Sequence, residues 1–258
     1  MFTPLKELGQ NFLSDPKIAA QMIFALNPKT GDEVIEIGPG HGFITEQLGR
    51  LAVTHAFNVS AVELDKRFSD KLTRMFIDAQ NVHIVQANIL DFLPVYTPPI
   101  GKPIKIIGSL PYYITSPIIH QIIKMAEQPQ ECVLLIQKEV AEKIVANTPD
   151  SSYMSVFVQT FFEASYLFTI PKEKFNPVPQ VDGGVIKLAK RERGELGVDV
   201  TREFVEKYEG FLHRGFASPR KMLNKPFTVE ELEKSGIAAN LRPQNLSWKD
   251  WLAFFKAR

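Results

Sequence analysis

The sequence predicts an α/β fold: a doubly wound domain of parallel strands and covering helices, followed by a small α-helical domain. Three observations carry that expectation. Short apolar runs alternate with amphipathic, capped segments from residue 33 to 189, the rhythm of repeated strand–helix units. The stretch Glu33-Val34-Ile35-Glu36-Ile37-Gly38-Pro39-Gly40-His41-Gly42-Phe43-Ile44-Thr45 runs a buried strand through three alternating glycines into a helix, the opening unit of such a domain. Beyond the charged linker Arg191-Glu192-Arg193-Gly194-Glu195, helical patterns continue with no strand candidate. The linker places the boundary between residues 1–190 and 191–258.

Taken in order, Asp15 as N-cap and Pro16 at the first helical position open a helix whose apolar face is Ile18, Ala19, Met22, Ile23 and Leu26. Asn27-Pro28 ends it. The glycine turn leads into a helix over Phe43–Leu51, and Val59–Val62 forms the second strand. Asp65 caps a helix packed through Leu72, Met75 and Phe76, and His83–Gln86 is the third strand. Four prolines between 94 and 103 mark an irregular loop. Ile104–Gly108 is the fourth strand, and a helix starting at Ser116 (cap) and Pro117 (first turn) follows. Glu131–Gln137 is the fifth strand, Lys138–Ala146 a helix, and Tyr153–Phe162 a buried helix. Tyr166–Ile170 and Val181–Ala189 are the last two strands, joined through Phe175-Asn176-Pro177-Val178-Pro179. Seven strands in this order, closing on a hairpin, suggest a Rossmann-like sheet of the methyltransferase kind. Helices over Phe204–Phe216, Val229–Lys234 and Trp248–Phe255 complete the chain.

Composition narrows the class. With 45% hydrophobic and 23% charged residues, the 258-residue chain is an ordinary soluble globular protein with room for a sizeable core. A single cysteine, Cys132, excludes an internal disulfide, and its apolar neighbours read as core. No run reaches the roughly 18 apolar residues of a membrane span, and Met1-Phe2-Thr3-Pro4 starts no signal peptide, so a cytosolic protein is expected. The net charge of +1 hides an asymmetry: residues 1–186 carry 15 Lys/Arg against 19 Asp/Glu, residues 187–258 carry 15 against 10. The C-terminal part is therefore the side suited to a polyanion.

The glycine turn carries the first chemical expectation. Dinucleotide folds use G-x-G-x-x-G to cradle a pyrophosphate, whereas this turn is G-P-G-H-G and Pro39 has no N–H to offer a phosphate. Its glycines remove side chains where a ribose must approach. Glu36 at the end of the first strand and Glu63 after the second supply acceptors for ribose hydroxyls. A cationic, phosphate-free nucleoside suits the turn, which points to S-adenosylmethionine. The E-x-G-x-G-x-G string with an acid one strand later resembles the first two motifs of class I methyltransferases.

The second expectation comes from Ser109-Leu110-Pro111-Tyr112, which leaves the fourth strand at the sheet edge where ligands bind. Tetrads of the form (Asn/Asp/Ser)-x-Pro-(Tyr/Phe) mark enzymes that methylate exocyclic amines of bases. The amine's lone pair is delocalised into the ring. A side-chain oxygen and the carbonyl of the second residue can accept its two N–H bonds and localise that pair, while the aromatic residue stacks on the base. Such chemistry requires no metal and no covalent nucleophile.

At this point the chain resembles the ribosomal RNA adenine N6,N6-dimethyltransferases, nearly end to end. Leu8-Gly9-Gln10-Asn11-Phe12-Leu13, Glu36–Gly42, Val62-Glu63-Leu64-Asp65, the tetrad, Gln137-Lys138-Glu139-Val140-Ala141 and Phe175–Asp182 occur in that family's order. So do Phe216-Ala217-Ser218-Pro219-Arg220-Lys221 and Leu241–Ser247. The resemblance implies that Gln10, Asn11, Leu13, Gly38, Gly40, Glu63, Leu64, Asn88, Ile89 and Ser109 line an S-adenosylmethionine pocket. It implies that Ser109, Leu110 through its carbonyl, Pro111 and Tyr112 hold the target adenine, with Phe175 as a second aromatic wall, and that Arg220 and Lys221 contact RNA. It further implies two adjacent adenines near the 3′ end of 16S-type rRNA in an immature small subunit as substrate, and a monomeric enzyme. Two positions depart from the family: Ser109 stands where Asn is usual, and Asn88 where Asp is usual. The other readings are a large-subunit (23S) rRNA adenine methyltransferase and a non-catalytic RNA-binding assembly factor on the same fold. A DNA adenine methyltransferase is disfavoured because no separate target-recognition domain is found.

Overall fold

The computed structural model describes residues 10–258. Leu8 and Gly9 of the first family-like stretch, and the Met1–Pro4 start, lie outside the described residues. Two strands, β1 (Phe12–Leu13) and β2 (Glu33–Ile37), flank helix α1 (Pro16–Leu26). Then come α2 (Phe43–His55), β3 (Asn58–Glu63), α3 (Lys66–Met75), β4 (Val82–Gln86), a one-turn α4 (Ile89–Phe92), β5 (Ile104–Ser109), α5 (Thr115–Lys124), β6 (Glu131–Gln137) and α6 (Lys138–Val145). They are followed by α7 (Tyr153–Phe161), β7 (Phe162–Ile170), β8 (Phe175–Asn176) and β9 (Gly183–Lys190). The chain ends in α8 (Arg193–Leu196), α9 (Arg202–Phe216), α10 (Val229–Lys234) and α11 (Trp248–Lys256).

The seven expected strands form one sheet in the order β4-β3-β2-β5-β6-β9-β7. Strands β2 to β6 pair in parallel and β9 runs antiparallel to β6. Strand order reverses between β2 and β5, which opens a crevice at their carboxyl ends. Parallel strands covered on both faces read as continuous apolar runs, and β2 and β6 are buried along nearly their whole length. The helix starts follow local chemistry. Asp15 accepts the Lys17 N–H at the head of α1, and Asp65 accepts the Arg67 N–H at the head of α3. Cys132 is fully buried in the core.

Four expectations change. Helix α5 begins at Thr115, because a 3-10 turn over Tyr112–Ile114 runs straight into it; Ser116 lies inside the helix rather than capping it. The stretch 175–179 is more than a connection, since Phe175–Asn176 pairs with Phe12–Leu13 in a small separate sheet that no local pattern announces. Strand β7 begins at Phe162, directly from α7, four residues earlier than its sequence pattern. The chain also divides differently from a cut at residue 190: one compact unit comprises 10–141 with 165–189, and the other comprises 142–164 with 190–258. Helix α7 thus belongs with the C-terminal helices. Its Thr160 hydroxyl meets the Tyr208 hydroxyl at 3.0 Å, and Arg191 reaches the Gln159 carbonyl at 2.8 Å and stacks over Trp248. The charged segment is therefore built into the second unit, where its guanidinium has partners, instead of serving as a plain linker.

The second unit is organised by aromatic packing. Phe211, Phe227, Trp251 and Phe254 meet edge-on, tilted or, for Trp251 with Phe254, stacked, at centroid distances of 4.7 to 6.2 Å. The Trp251 ring lies over Gly215, where an added Cβ would overlap it. Gly215→Ala gains about 1 kcal/mol of helix propensity but forces the ring aside at about 1–3 kcal/mol, so a net loss of up to about 2 kcal/mol is expected. Thermal unfolding checks this; a midpoint at or above that of the parent would refute it.

Candidate active site

The crevice at the reversal point is a cavity with about 1060 Å³ of empty space including its open mouth. It is built from six chain segments. The N-terminal segment contributes Gln10, Asn11, Phe12 and Leu13, and the end of β2 with its glycine turn contributes Glu36, Gly38, Gly40 and His41. Glu63 and Leu64 come from the end of β3, Asn88 and Ile89 from the end of β4, and Ser109 to Tyr112 from the end of β5. Phe175 of β8 completes the lining. All fourteen sequence-derived pocket and tetrad residues thus face one space. Arg220 and Lys221 are exposed on the turn after α9, in the second unit.

Backbone geometry explains the glycines. Gly38, Gly40 and Gly42 have φ of +64°, +53° and +93°, a region closed to most side-chain-bearing residues. The expected reason for their absence of side chains changes at two positions. A Cβ on Gly42 would strike the Leu72 side chain at 2.7 Å, so that glycine serves packing against α3. A Cβ on Gly40 would strike the Phe12 ring at 2.7 Å, so this glycine makes room for a wall of the cavity rather than for a ligand directly. Phe12, His41 and Phe68 form a triad of rings with centroids 4.5 to 5.1 Å apart over the turn.

Carboxylates fix the turn. Glu63 Oε2 accepts the Gly40 N–H at 3.0 Å, and Glu63 Oε1 accepts the Asp65 N–H at 2.8 Å. Burial pushes the Glu63 pKa up, and those backbone donors pull it part of the way back. Asp65 pairs with Arg67 at 2.6 Å and accepts from Gln10 Nε2 at 3.0 Å. The hydrogen bonds from Arg67 hold its pKa down to about 2. The Gln10 segment is tied from the other side by β8. Phe12 pairs with Asn176 and Leu13 with Phe175, Ser14 bonds to the Lys174 carbonyl, and Lys174 reaches Asp15 at 2.9 Å.

Two residues lining the cavity carry a buried polar atom with no hydrogen-bond partner among the described residues: Glu36, at Oε2, and Tyr112, at its hydroxyl. Burial, with the Asp182 carboxylate nearby, pushes the Tyr112 pKa up to about 12, so the phenol stays protonated at neutral pH. Burial pushes Glu36 up to about 8. Asn88 is held by the backbone it caps, since its Oδ1 accepts the Leu90 N–H at 3.0 Å at the head of α4. Phe175 is 2% exposed, with Gly183 tight against its ring. Among the described residues no group of three His, Cys, Asp or Glu is arranged to hold a metal ion. Among them, too, no helix is long and apolar enough to cross a membrane.

Sheet order, reversal point and glycine turn define a Rossmann-like methyltransferase. Comparison with known proteins carries this further. Residues 1–257 match the family described as ribosomal RNA adenine dimethylase, and the chain belongs to that family. It is 32% identical over 254 residues to the ribosomal RNA small subunit methyltransferase A of Sulfurihydrogenibium sp. (strain YO3AOP1), covering 98% of this chain and 95% of the relative. It is 33% identical to the protein of the same name from Persephonella marina, covering 98% and 93%. Among solved structures, a dimethyladenosine transferase from Plasmodium falciparum shares the fold with a TM-score of 0.79 at 22% identity, over 94% of this chain and 95% of that one. The 23S rRNA methyltransferase ErmE shares it with a TM-score of 0.72 at 23% identity, over 96% and 99%.

Glu36 makes stability depend on pH. Its folded pKa lies above its ordinary value of 4.5, so the unfolded chain ionises first and the folded state binds the extra proton. Its contribution is intact below about pH 4.5 and is lost as pH rises toward about 8, a change on the order of a few kcal/mol. Glu36→Gln should flatten that part of the stability–pH curve in denaturant titrations between pH 5 and 8. A curve of unchanged slope would show that the group does not titrate this way.

Proposed function

We propose that this member of the ribosomal RNA adenine dimethylase family uses S-adenosylmethionine to place two methyl groups on N6 of each of two adjacent adenines. These lie near the 3′ end of small-subunit (16S-type) rRNA, in an immature small subunit, and the enzyme acts as a monomer. The observation that carries the reading is the convergence of the tetrad and the glycine turn on one cavity. The relatives named for the small subunit, at 30% identity and above over nearly the full length, favour this RNA over the large-subunit one.

The residues present fit the cofactor. The turn is compact and lacks a phosphate cradle, and two acids line the space beside it. Gln10, Asn11, Leu13, Gly38, Gly40, Glu63, Leu64, Asn88 and Ile89 would hold the cofactor. When bound, S-adenosylmethionine supplies a methyl group on a sulfonium, an electrophile that needs no covalent enzyme nucleophile. The chain's own part is orientation. Ser109 Oγ and the Leu110 carbonyl accept the two N–H bonds of the adenine amine, which turns its lone pair outward. Leu110 is 2% exposed and its N–H is tied to the Leu135 carbonyl at 2.9 Å, so its own carbonyl sits on backbone pinned just past the end of β5. Tyr112 stacks on the extruded base and Phe175 backs it. Holding reactants in line contributes the largest share of the acceleration in such transfers. Arg220 and Lys221 contact phosphates.

Single-turnover methyl transfer to undermethylated small subunits, with cofactor saturating, tests the tetrad. Ser109→Ala should slow transfer about 10-fold, the worth of one hydrogen bond of roughly 1–1.5 kcal/mol. Tyr112→Ala should slow it further, through loss of about 1–3 kcal/mol of stacking. Ser109→Asn should hold or raise the rate. Transfer by Ser109→Ala at the parent's rate would remove the hydroxyl from the mechanism. Transfer by Ser109→Asn alone, with an inert parent, would make this chain a binding protein.

Neutralising Arg220 and Lys221 together should lower RNA affinity and reduce the salt slope by at most about 0.7–0.9 per phosphate contact removed. Cofactor affinity should stay as it was. Filter binding at low and at moderate salt reads this, and an unchanged slope would place the RNA face elsewhere.

A further inference from the structure

We propose that the cavity takes up a cationic ligand by exchanging it for a proton, and that Glu36 is the group that releases the proton. The inference rests on the S-adenosylmethionine reading and adds to it a charge balance for binding.

Its basis is geometric. Glu36 is 1% exposed in β2, lines the cavity, and leaves Oε2 buried with no hydrogen-bond partner among the described residues. A carboxylate held this way, without a counter-charge, is costly enough that the group keeps its proton. The elements packed around it bring acids and neutral groups. In β5, Ile107 stands opposite Glu36; in β3, Ala61 does. The charged group that acts on Glu36 from β3 is Glu63, another carboxylate, whose two oxygens already take the Gly40 and Asp65 amides. Helix α2 offers Thr45, whose backbone N–H and hydroxyl pull the Glu36 pKa part of the way back. It is a neutral group that brings no counter-charge, and its hydroxyl makes no hydrogen bond of good geometry. The glycine turn offers His41, which burial and the nearby Lys71 keep below its usual pKa and so neutral at pH 7. The acid therefore faces the cavity beside a second acid, and among the described residues no base compensates it.

A ligand carrying an ammonium and a sulfonium supplies the missing charge. On binding, the O–H bond of Glu36 breaks, its electron pair stays on the carboxylate, and the proton passes to the buffer. The protonated acid of the free protein thus becomes the counter-ion of the complex. Because the free group's pKa is raised to about 8, the exchange is largest at neutral pH and below, and it fades above pH 8. Affinity for a cation should then rise by up to about tenfold per pH unit below 8 and level off above it.

Isothermal calorimetry of the full chain at about pH 7, in phosphate and in Tris, reads proton exchange from the dependence of the apparent heat on the buffer's ionisation enthalpy. S-adenosylmethionine is the cationic probe and 5′-methylthioadenosine the neutral one. The ligand's own amine, with a pKa of about 7.7–8.0, titrates equally in every variant, so the comparison with Glu36→Gln isolates the protein's proton. The expected result is that the parent releases close to one proton more than Glu36→Gln with S-adenosylmethionine, and none with 5′-methylthioadenosine. Equal release by parent and variant would assign the proton to another group. Equal release with the charged and neutral ligands, measured on the parent alone, would refute charge exchange even if Glu36→Gln failed to fold. Binding with no dependence on buffer would overturn the inference and leave the cofactor reading standing. Absence of binding in both buffers, checked by equilibrium dialysis, would remove the cofactor reading itself.

Discussion

The pocket depends on one carboxylate, that of Glu63. Its two oxygens accept two backbone N–H groups, Gly40 in the glycine turn and Asp65 at the start of α3, and so bind the ends of two neighbouring strands into one rigid edge. Hydrogen bonds to an ionised acceptor are roughly twice as strong as neutral ones. Here they also satisfy amides that burial would otherwise leave without partners. The ordering spreads outward from that edge. Asp65, held in place, caps α3, pairs with Arg67 and receives Gln10, so the segment that roofs the cavity is positioned by the same residues that shape its floor.

A second constraint lies under the sheet. Lys105 is nearly buried, yet its ammonium is fully partnered: it donates to the Leu26 and Asn27 carbonyls at the end of α1 and pairs with Glu131 at 2.9 Å. Asp32 stands 3.4 Å away. Lys187 adds a bond to the Ala25 carbonyl and a second pairing with Glu131. Two cations at a helix C-terminus complement its exposed carbonyls and dipole. They fix α1 against the sheet, and α1 in turn fixes the point from which the Gln10–Leu13 segment crosses the cavity.

How much of this was legible in the sequence depended on whether the determinant was local. Apolar runs such as Glu131–Gln137 and caps such as Asp15 and Asp65 announced their elements because the signal lies within a few residues. The lining of the cavity was legible because glycines, acids and the Ser-Leu-Pro-Tyr tetrad sit at strand ends, where this sheet type gathers ligands. What escaped was long-range. The pairing of Phe12–Leu13 with Phe175–Asn176 joins two-residue strands too short to show any alternation. The membership of α7 with the C-terminal helices follows from contacts to Tyr208 that no periodicity encodes. Phe12 and His41 were hidden because a lone aromatic reads as core until the Gly40 backbone is seen to leave room for it. The partnerless oxygen of Glu36 is invisible to any one-dimensional reading, since it is defined by what surrounds it.

The small sheet of β1 and β8 also sets the order in which the molecule can be finished. A chain leaves its synthesis machinery N-terminus first, so residues 10–13 emerge early and wait for a partner strand that is made only at Phe175 and Asn176. The glycine turn, the acids and the tetrad can all be in place while the roof over them is still unpaired. Closing a loop of that length carries an entropic cost that grows only slowly with its size, so the delay is set mainly by synthesis and by the folding of what lies between. The cavity is thus completed by one of the last strands to be made. A nascent chain cut short before Phe175 holds nearly every cavity-lining residue yet lacks the strand that fastens the roof.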